Sequence, residues 1–576
     1  MTSRALPVLE FVPPAAGPAR SLTPPEPQDA RLAEFRPDAA ALPRFFVWTL
    51  GCQMNRSDSE EMAGRLLAAG CAGAASIEAA DLVVINTCAI REAAEAKVIG
   101  RQGQLRQLKA ANPALRVVLT GCAVRESNRA SLARRYPAVD LFLRPDEEPE
   151  LVGRLGLASA QAPVGAVSFP ATAIAATAAT AAIAATAATA ATAATAATTV
   201  VQGDLVSDAT HLARARADAV AGGAVHRASP ISAWLPIIYG CDKTCTYCIV
   251  PHSRGPERSR PFDDVVAEAR TLAAAGYREV TLLGQNVNSY GHDLPAEARF
   301  AHVRTERLVG RRQDRQARPD LAELIRAVDA VRGEDGAPAI PRLRFVTSHP
   351  WDLSDRLIEA MRDCPSVCEA LHLPVQSGSD ATLRRMGRQY TIAHYLERLA
   401  RIREAVPGIA LSTDVIVGFC GETEAEHEAT LGLLREVRYD QVFAAAYSER
   451  PGTPATRLAD DVPAAEKHRR LVELLALQEA IGLERNLAWV GETAEVLVDA
   501  VVPPRAHDHG GEGEEAAGTS AARDAFARLP GGVAHLVGRS RENKLVHLAG
   551  PAALLGSLVV VRVDHAGPYA LRGRLA

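Results

Sequence analysis

Short apolar runs alternate with helical patterns over two long parts of the chain. In the first part the apolar runs cover 45–50, 81–86, 115–120 and 139–143, and helical patterns follow the first three. In the second part six apolar runs, each leading into a polar or Gly-containing loop, begin near residues 233, 279, 343, 370, 411 and 442. Strands that alternate with helices predict parallel sheets. We therefore predict an α/β protein with a doubly wound N-terminal domain and a central partial (β/α)6 barrel.

A different pattern closes the chain. Short apolar runs follow one another without helical patterns between them, at 495–499, 534–538, 544–547 and 558–562. This arrangement predicts a small C-terminal β-barrel. The turn after the second run is basic and carries an amide, which suits contacts to RNA phosphate and sugar. Its candidate RNA-binding residues are Arg539, Arg541, Asn543 and Lys544.

Four segments lack the varied apolar periodicity of a packed core. They are a Pro- and Ala-rich leader at 1–43, an Ala/Thr-rich linker at 158–229, an insert with seven arginines at 295–319, and an acidic, Gly-rich insert at 503–532. We expect the leader and the linker to be low-complexity segments outside the core. The Arg-rich insert is either a solvated face or a phosphate-binding patch. The predicted domains are therefore 44–157, 230–487 and 488–576.

Composition and charge limit the partners and the cellular compartment that this chain can have. The 576 residues carry 64 Lys and Arg against 68 Asp and Glu, so any nucleic-acid contact must be local. Ten cysteines are too few for a disulfide scaffold in a chain of this length. No apolar run has the ~20 residues and the character of a membrane span. We expect a cytoplasmic protein without a membrane partner, and a monomer, because no stretch has the repeat of a coiled-coil seam.

The most specific chemical pattern is C-x-x-x-C-x-x-C, formed by Cys241, Cys245 and Cys248, here called the central triplet. Three thiolates this close suit three irons of a [4Fe-4S] cluster and leave the fourth iron open. A zinc site is the alternative, but it normally takes a fourth protein ligand, and the nearest candidate is His252. The spacing resembles the signature of radical S-adenosylmethionine (SAM) enzymes, in which the open iron binds SAM. The central triplet is therefore predicted to be catalytic.

A second set of cysteines, Cys52, Cys88 and Cys122, is spread along the first part of the chain and is here called the N-terminal triplet. Each lies one or two residues past the end of a different predicted strand. Because the carboxyl ends of parallel strands meet at one edge of a sheet, these thiols should converge there. We predict a second iron–sulfur cluster at that edge. Three further cysteines are interpreted as structural, namely Cys71, Cys364 and Cys368.

The order of these parts resembles the radical SAM methylthiotransferases, and the last domain looks like their RNA-binding TRAM domain. The resemblance covers about 44–157 and 230–576. It is carried by GCQMN at 51–55, NTCAIRE at 86–92, LGQNVNSYG at 283–291, LHLPVQSGSD at 371–380 and DVIVGF at 414–419. These motifs are similar to the branch of the family that modifies dimethylallyladenosine in tRNA. The branch that acts on a ribosomal protein typically has Pro-Lys where this chain has Gln53-Met54.

The resemblance implies a chemistry for both triplets. The central triplet would hold the [4Fe-4S] cluster that cleaves one SAM, and the N-terminal triplet would hold a second [4Fe-4S] cluster carrying a sulfur that another SAM methylates. The methylthio group would then replace hydrogen at carbon 2 of an adenine in the tRNA anticodon loop. An electron-donor protein and a sulfur donor are the other implied partners. SAM contacts are expected on the loops after the central strands, at Gln285, Asn286, Ser348, Gln376, Ser377, Gly418, Gly421 and Glu422.

Two alternative functions stay open. The protein could be a methylthiotransferase that acts on threonylcarbamoyladenosine in tRNA or on a ribosomal protein. From a different class, it could be a non-catalytic iron–sulfur sensor that binds RNA and needs no SAM. One departure from the family is Cys420, which stands where a Pro is usual. The change is either neutral or gives the rim of the central barrel a tenth thiol that can be oxidised.

Overall fold

The computed structural model describes residues 43–88, 97–157, 225–303, 317–502 and 532–576. The predicted leader, most of the Ala/Thr-rich linker, the middle of the Arg-rich insert and nearly all of the acidic insert lie outside these ranges. Within them, no helix is both long enough and apolar enough to cross a membrane.

A five-stranded parallel sheet forms the N-terminal part, in the order β2-β1-β3-β4-β5. Its strands are β1 (Arg44–Leu50), β2 (Ala72–Gly73), β3 (Leu82–Thr87), β4 (Arg116–Thr120) and β5 (Leu141–Phe142). Its helices are α1 (Gln53–Ala68), α2 (Gln102–Ala111), α3 (Arg129–Arg135) and α4 (Leu151–Arg154). Successive residues of one strand enter different cores, with Val83 on one face of the sheet and Val84 on the other. The prediction of a doubly wound α/β domain is confirmed.

Helix α1 begins earlier than the sequence pattern predicted. Ser57 and Asp58 are residue types that favour a helix start, so the sequence alone predicts that the helix begins there. In the structure the helix starts at Gln53, with Cys52 in the N-cap position. The N–H of Arg56 already donates to the Cys52 carbonyl at 3.2 Å. The amino-terminal end of α1 therefore directly follows Cys52.

Six parallel strands build the central part in sequence order. They form two three-stranded sheets, which a single parallel bridge between Leu343 and Val367 joins. The strands are β6 (Ser232–Pro236), β9 (Glu279–Leu283), β10 (Arg342–Phe345), β11 (Ala370–His372), β12 (Ala410–Val417) and β13 (Gln441–Ala446), and a short hairpin between the first two consists of β7 (Ile238–Tyr239) and β8 (Arg258–Ser259). The helices are α5 (Val250–Arg254), α6 (Phe262–Ala274), α7 (Leu321–Asp329), α8 (Asp355–Asp363), α9 (Asp380–Arg385), α10 (Ile392–Ala405), α11 (Glu424–Val437) and α12 (Ala464–Leu487). The predicted partial (β/α)6 barrel is confirmed.

The hairpin β7–β8 changes the predicted surroundings of the central triplet. From the sequence alone, the apolar run at 233–238 predicts one strand, and the Arg- and Pro-containing run at 254–261 predicts a plain loop. In the structure β6 ends at Pro236, and the cysteine loop is enclosed between β7 and β8, with α5 on its C-terminal side. The loop therefore has a hydrogen-bonded base.

The long helix α12 was not identified by the sequence analysis. Its buried face mixes apolar Leu474 and Ile481 with the polar side chains of Lys467, Arg470 and Gln478. These polar groups have partners in the central barrel; for example, Arg470 donates to the Glu422 carboxylate at 2.9 Å. Because the buried face is partly charged, the sequence lacks the apolar stripe that usually reveals a helix.

A closed five-stranded barrel ends the chain, with strand order β14-β15-β16-β18-β17. Its strands are β14 (Thr493–Val502), β15 (Ala534–Ser540), β16 (Leu545–Gly550), β17 (Leu558–Ala566) and β18 (Ala570–Leu575). The predicted small β-barrel is confirmed, but β18 was missed, because its residues alternate between a buried apolar or Gly position and arginine.

Two arginines of β10 fasten this C-terminal barrel to the central one. The side chain of Arg342 is fully buried and donates to the Glu495 carbonyl at 2.8 Å and to its carboxylate at 3.1 Å. Arg344 donates to the Ser540 carbonyl at 2.8 Å and to the Arg541 carbonyl at 3.0 Å. The turn that follows β15 is therefore packed against the central barrel.

Two cysteine triplets at a candidate active site

The N-terminal triplet converges at the carboxyl edge of the parallel sheet. Its cysteines follow β1, β3 and β4, which are direct neighbours, with Leu50 opposite Thr87 and Asn86 opposite Thr120. Burial raises the pKa of the Cys122 thiol to about 12, and its neighbours Cys88 and Cys52 also raise it. The three sulfur atoms therefore share one buried region, as the strand-end argument predicted.

Two buried amides hold the loops of this triplet together. Asn86 donates to the Asn55 carbonyl at 2.8 Å and to the Ser59 hydroxyl at 3.1 Å, and its side-chain oxygen accepts from the Asn55 amide at 2.7 Å. Asn55 in turn accepts a hydrogen bond from the Cys52 thiol at 3.3 Å. Because Asn55 lies on α1 and Asn86 on β3, this network ties two of the cysteine-bearing segments to each other.

Glycines precede key cysteines where the backbone has no space for a side chain. Gly121, just before Cys122, has φ +92°, and an added Cβ would lie 2.3 Å from the Thr87 carbonyl oxygen. Gly240, just before Cys241, has φ +72°, and its Cβ would lie 2.0 Å from the Pro256 carbonyl oxygen. Both the left-handed φ and the close backbone approach require glycine at these two positions.

The central triplet is held by short backbone contacts. Cys241 N–H donates to the Gly255 carbonyl, and Cys248 N–H donates to the Cys245 carbonyl, both at 3.1 Å. A buried guanidinium, Arg388, donates to the Cys245 sulfur at 3.3 Å. Burial raises the pKa of the Cys241 thiol, and Glu257 and the other two cysteines of the triplet raise it as well.

The two triplets face each other across the interface between the N-terminal sheet and the central barrel. The pKa of Cys248 is raised to about 12, chiefly by burial and by Cys245, and Cys88 of the other triplet contributes as well. Arg254, on the helix that follows the central triplet, donates to the Cys122 sulfur at 3.1 Å. The structure therefore brings all six predicted cysteines into one interdomain region.

The spacing of the sulfurs fits clusters better than single ions. Ligands to one zinc ion lie at about 2.3 Å from it and so come within about 4 Å of one another. Among the described residues, the one set of three or more potential ligands whose atoms all lie within 4.8 Å is Asp242, Glu257 and His292, and it includes no cysteine. In each triplet at least one pair of sulfur atoms is therefore more than 4.8 Å apart. This is wider than a single zinc ion allows, and three cysteines can instead bind three irons of a [4Fe-4S] cluster. Buried thiols with raised pKa values also need a metal to become thiolates.

Three of the predicted SAM contacts carry buried polar atoms without a protein partner. They are the side-chain amide of Gln285, the side-chain oxygen of Asn286 and the hydroxyl of Ser348. The other amide atom of Asn286 donates to Asp352 at 2.7 Å. Because buried polar atoms normally have partners, these loops at the carboxyl ends of β9 and β10 fit a polar ligand such as SAM.

The remaining predicted SAM contacts are engaged within the protein or have an unusual backbone. The Ser377 hydroxyl contacts that of Thr430 at 3.3 Å. Glu422 accepts from the Gly418 N–H at 2.5 Å and pairs with Arg470, and the Gly421 N–H donates to Asp461 at 2.6 Å. Gln376 has φ +71°, which is uncommon for a residue with a side chain and typical of functional sites. SAM binding by all eight residues stays a prediction.

The basic turn predicted to bind RNA is not an open surface. Arg541 pairs with both carboxylate oxygens of Glu369, at 2.6 and 2.9 Å, and Lys544 contacts Asp440 and Asn486, each at 2.7 Å. Arg539 donates weakly to the Asn543 carbonyl at 3.3 Å within the turn itself. The Arg541 and Lys544 side chains therefore attach the C-terminal barrel to the central barrel. RNA contact by the four residues is not tested by these contacts.

The cysteines outside the triplets are all buried. Cys71, Cys364 and Cys368 lie in or beside the apolar cores, which agrees with a structural role. Cys420 packs with Met386, Phe419 and Tyr447, and burial raises its pKa. The structure therefore gives this thiol neither the exposure nor the thiolate character that oxidation favours.

Sequence reasoning missed four residues that touch or support the triplets: Asn55, Asn86, Arg254 and Arg388. The two amides stand in the motifs at 51–55 and 86–92, so their positions were noted without a role. The two arginines carry no comparable signal, because their sulfur partners lie 132 and 143 residues away in the chain.

Comparison with known proteins agrees with this architecture. The radical SAM superfamily model matches residues 235–434, and the model described as uncharacterized protein family UPF0004 matches 44–144. Three similar curated relatives carry one name, tRNA-2-methylthio-N(6)-dimethylallyladenosine synthase. That of Roseiflexus sp. (strain RS-1) is 36% identical over 96% of this chain and 93% of its own. That of Thermoanaerobacter sp. (strain X514) is 36% identical over 92% of each chain, and that of Acetivibrio thermocellus is 37% identical over 92% of this chain and 90% of its own. The chain therefore belongs to the tRNA-2-methylthio-N(6)-dimethylallyladenosine synthase family of radical SAM methylthiotransferases.

Proposed function

We propose that this protein replaces the hydrogen at carbon 2 of dimethylallyladenosine, next to the anticodon of tRNA, with a methylthio group, and that it consumes two SAM molecules. The observation that carries the proposal is the pair of cysteine triplets, from two domains, that face each other across one interface. A radical SAM barrel needs one such triplet for SAM cleavage. A second triplet beside it is what delivery of sulfur to the same substrate requires.

The two sides of the interface would each hold one cluster and have different roles. The central triplet would hold one [4Fe-4S] cluster and the N-terminal triplet the other. When bound, these clusters would supply the electron for SAM cleavage and an iron that holds the transferred sulfur. Gln285, Asn286 and Ser348 would orient SAM through the buried polar atoms they present. Three of the six cysteines, Cys88, Cys122 and Cys245, are buried, which limits the access of water to both sites.

The substrate is proposed from the names of the relatives and from the chemistry of RNA loops. An adenine in a single-stranded anticodon loop can be splayed out at low cost, so its carbon 2 can enter the interface. We propose that the C-terminal barrel binds RNA and that the residues of its basic turn take part in this contact. The proposal also includes an electron-donor protein, a sulfur donor, a monomeric state and a cytoplasmic location.

Paired cysteine variants test the division of labour. Cys245→Ala should abolish both SAM cleavage and methylthiolation, whereas Cys88→Ala should leave SAM cleavage and stop sulfur transfer. Cys364→Ala and Cys71→Ala are matched controls, because each removes a buried thiol of the same domain outside the triplets. The measurements are 5′-deoxyadenosine formation and mass spectrometry of the tRNA nucleosides after anaerobic reconstitution. Normal methylthiolation by the Cys88 variant would refute the two-cluster assignment.

A substrate panel separates the alternatives. Reconstituted protein, with about eight irons per chain for two clusters, is offered anticodon-loop RNA carrying dimethylallyladenosine or threonylcarbamoyladenosine, and a ribosomal protein. Modification of the first RNA alone supports the proposal. Modification of either other substrate instead would assign the enzyme to a different branch of the methylthiotransferases. Absence of 5′-deoxyadenosine with SAM and dithionite would identify a non-catalytic iron–sulfur protein.

A further inference from the structure

One side chain of the central barrel reaches the sulfur atoms of the N-terminal triplet. Arg254 ends helix α5, which begins two residues after Cys248, and its side chain is only 4% exposed. Its Nη2 donates to Asp58 on α1 at 2.6 Å, and its Nε donates to the Cys122 sulfur at 3.1 Å. A guanidinium that follows one triplet therefore completes the surroundings of the other.

The charges around this guanidinium favour a cation facing a thiolate. The buried guanidinium of Arg254 forms an ion pair with the Asp58 carboxylate and also contacts the Cys122 sulfur. A buried cation is costly unless it is paired and hydrogen-bonded. A neutral thiol is a weak acceptor, whereas a metal-bound thiolate is a strong one. The arrangement therefore suits Cys122 as a cluster ligand.

Arg388 provides a useful comparison within the same molecule. It donates to the Cys245 sulfur at 3.3 Å, to the Pro374 carbonyl at 2.9 Å and to the Tyr390 hydroxyl at 3.0 Å. All of these partners belong to the central barrel. Arg254 differs because its carboxylate and its sulfur both belong to the other domain, so its contact exists only when the two domains are docked.

We propose that Arg254 is a positioning residue that raises the reduction potential of the cluster held by the N-terminal triplet and ties that cluster to the central barrel. The inference rests on the proposed function, because it takes the N-terminal triplet as a cluster site. Reduction adds negative charge to a cluster. A nearby cation and an N–H donor to a ligand sulfur stabilise the reduced form, and hydrogen bonds to sulfur are among the factors that set cluster potentials.

The test isolates the N-terminal cluster in the full-length chain. A Cys241→Ala, Cys245→Ala, Cys248→Ala background leaves only the N-terminal triplet, and its cluster is titrated with EPR detection of the reduced form. Two variants are made in this background. Arg254→Met removes the charge, and Arg254→Lys keeps the charge but lacks the planar set of guanidinium N–H donors. The matched control is Arg125→Met, because Arg125 also crosses the interface, where it donates to a backbone carbonyl, that of Pro451, at 2.8 Å.

We expect a lower reduction potential in Arg254→Met, a smaller shift of the same sign in Arg254→Lys and an unchanged potential in Arg125→Met. The central cluster, measured in a Cys52→Ala, Cys88→Ala, Cys122→Ala background, should keep its potential when Arg254→Met is added. An unshifted potential in Arg254→Met with about four irons bound would overturn the inference. If Arg254→Met fails to assemble a cluster, an unshifted potential in Arg254→Lys would overturn it as well. Absence of iron from the triple-variant background would instead refute the N-terminal cluster itself.

Discussion

Replacing Asn86 with alanine should loosen the loops of the N-terminal triplet without touching a cysteine. Asn86 is fully buried, and its side chain makes three hydrogen bonds, of 2.7, 2.8 and 3.1 Å, to Asn55 and Ser59. Asn86→Ala removes all three. It also leaves the side-chain NH2 group of Asn55 with a single long contact, 3.4 Å to the Thr87 carbonyl.

The expected cost follows from these contacts. Three buried hydrogen bonds at about 1 kcal/mol each, plus part of the penalty for an underpaired amide, give roughly 3–4 kcal/mol of local stability. Since about 1.4 kcal/mol is a factor of ten, amide exchange in β3 should accelerate by roughly 10²–10³. Asn112→Ala is the control, because it removes a single hydrogen bond, the one that the Asn112 side chain accepts from the Ala114 N–H at 3.1 Å. It should change the rate of amide exchange by about tenfold or less.

Hydrogen exchange of the metal-free protein, followed by mass spectrometry of peptides from β1 and β3, measures this directly. Iron retention after anaerobic reconstitution gives a second measurement, and we expect Asn86→Ala to lose iron from the N-terminal cluster only. Exchange in β3 that rises less than tenfold in Asn86→Ala would refute the reasoning, because the amide network would then not stabilise the loops. So would equal effects of Asn86→Ala and Asn112→Ala.

Three further predictions concern other parts of the molecule. Gly240→Ala should lower reconstituted iron from about eight to about four per chain, because its Cβ would clash with the Pro256 carbonyl. The control Gly276→Ala, at φ +84° with open space around it, should keep both clusters. Burial raises the pKa of Asp440, but Lys544 and Arg485 outweigh it and the net shift is downward. Lys544, whose own pKa burial lowers, is still a cation at acidic pH. The stabilisation from Asp440 is therefore complete above its unfolded pKa of about 3.9 and is lost as the pH falls through its lower folded value. Acid should therefore expose the C-terminal barrel to proteolysis. Asp440→Asn should remove that pH dependence. Cys420 should react with iodoacetamide only on unfolding, and rapid labelling of the native protein would contradict its buried placement.

The element types were predictable from local sequence. Strand runs such as 82–87 and 410–417 combine β-branched and apolar residues with a Gly or polar turn, and this pattern needs no knowledge of distant contacts. The N-terminal triplet was predictable for the same reason, since each cysteine stands just past a strand and parallel strands share a carboxyl edge. Where the pattern was diluted, prediction failed: α12 buries charged side chains, and β18 alternates with arginine.

The basic turn at 539–544 shows a different limit. Its charges predicted an RNA contact, which stays a prediction. The sequence contains no signal that Glu369 and Asp440, far away in the chain, would pair with Arg541 and Lys544. Whether a charged side chain faces water or a buried carboxylate depends on domain docking. That information is absent from any local window.

The sequence by itself determined the order of strands and helices, the three parts of the chain and the positions of six cysteines at strand ends and on one loop. Only the tertiary structure decided that the two triplets face each other, that Arg254 of one domain reaches Cys122 of the other, and that Asn55 and Asn86 hold two cysteine loops together. The physical reason is that strand formation is governed by neighbours along the chain. Hydrogen bonds between buried polar groups depend instead on which surfaces the hydrophobic cores bring into contact.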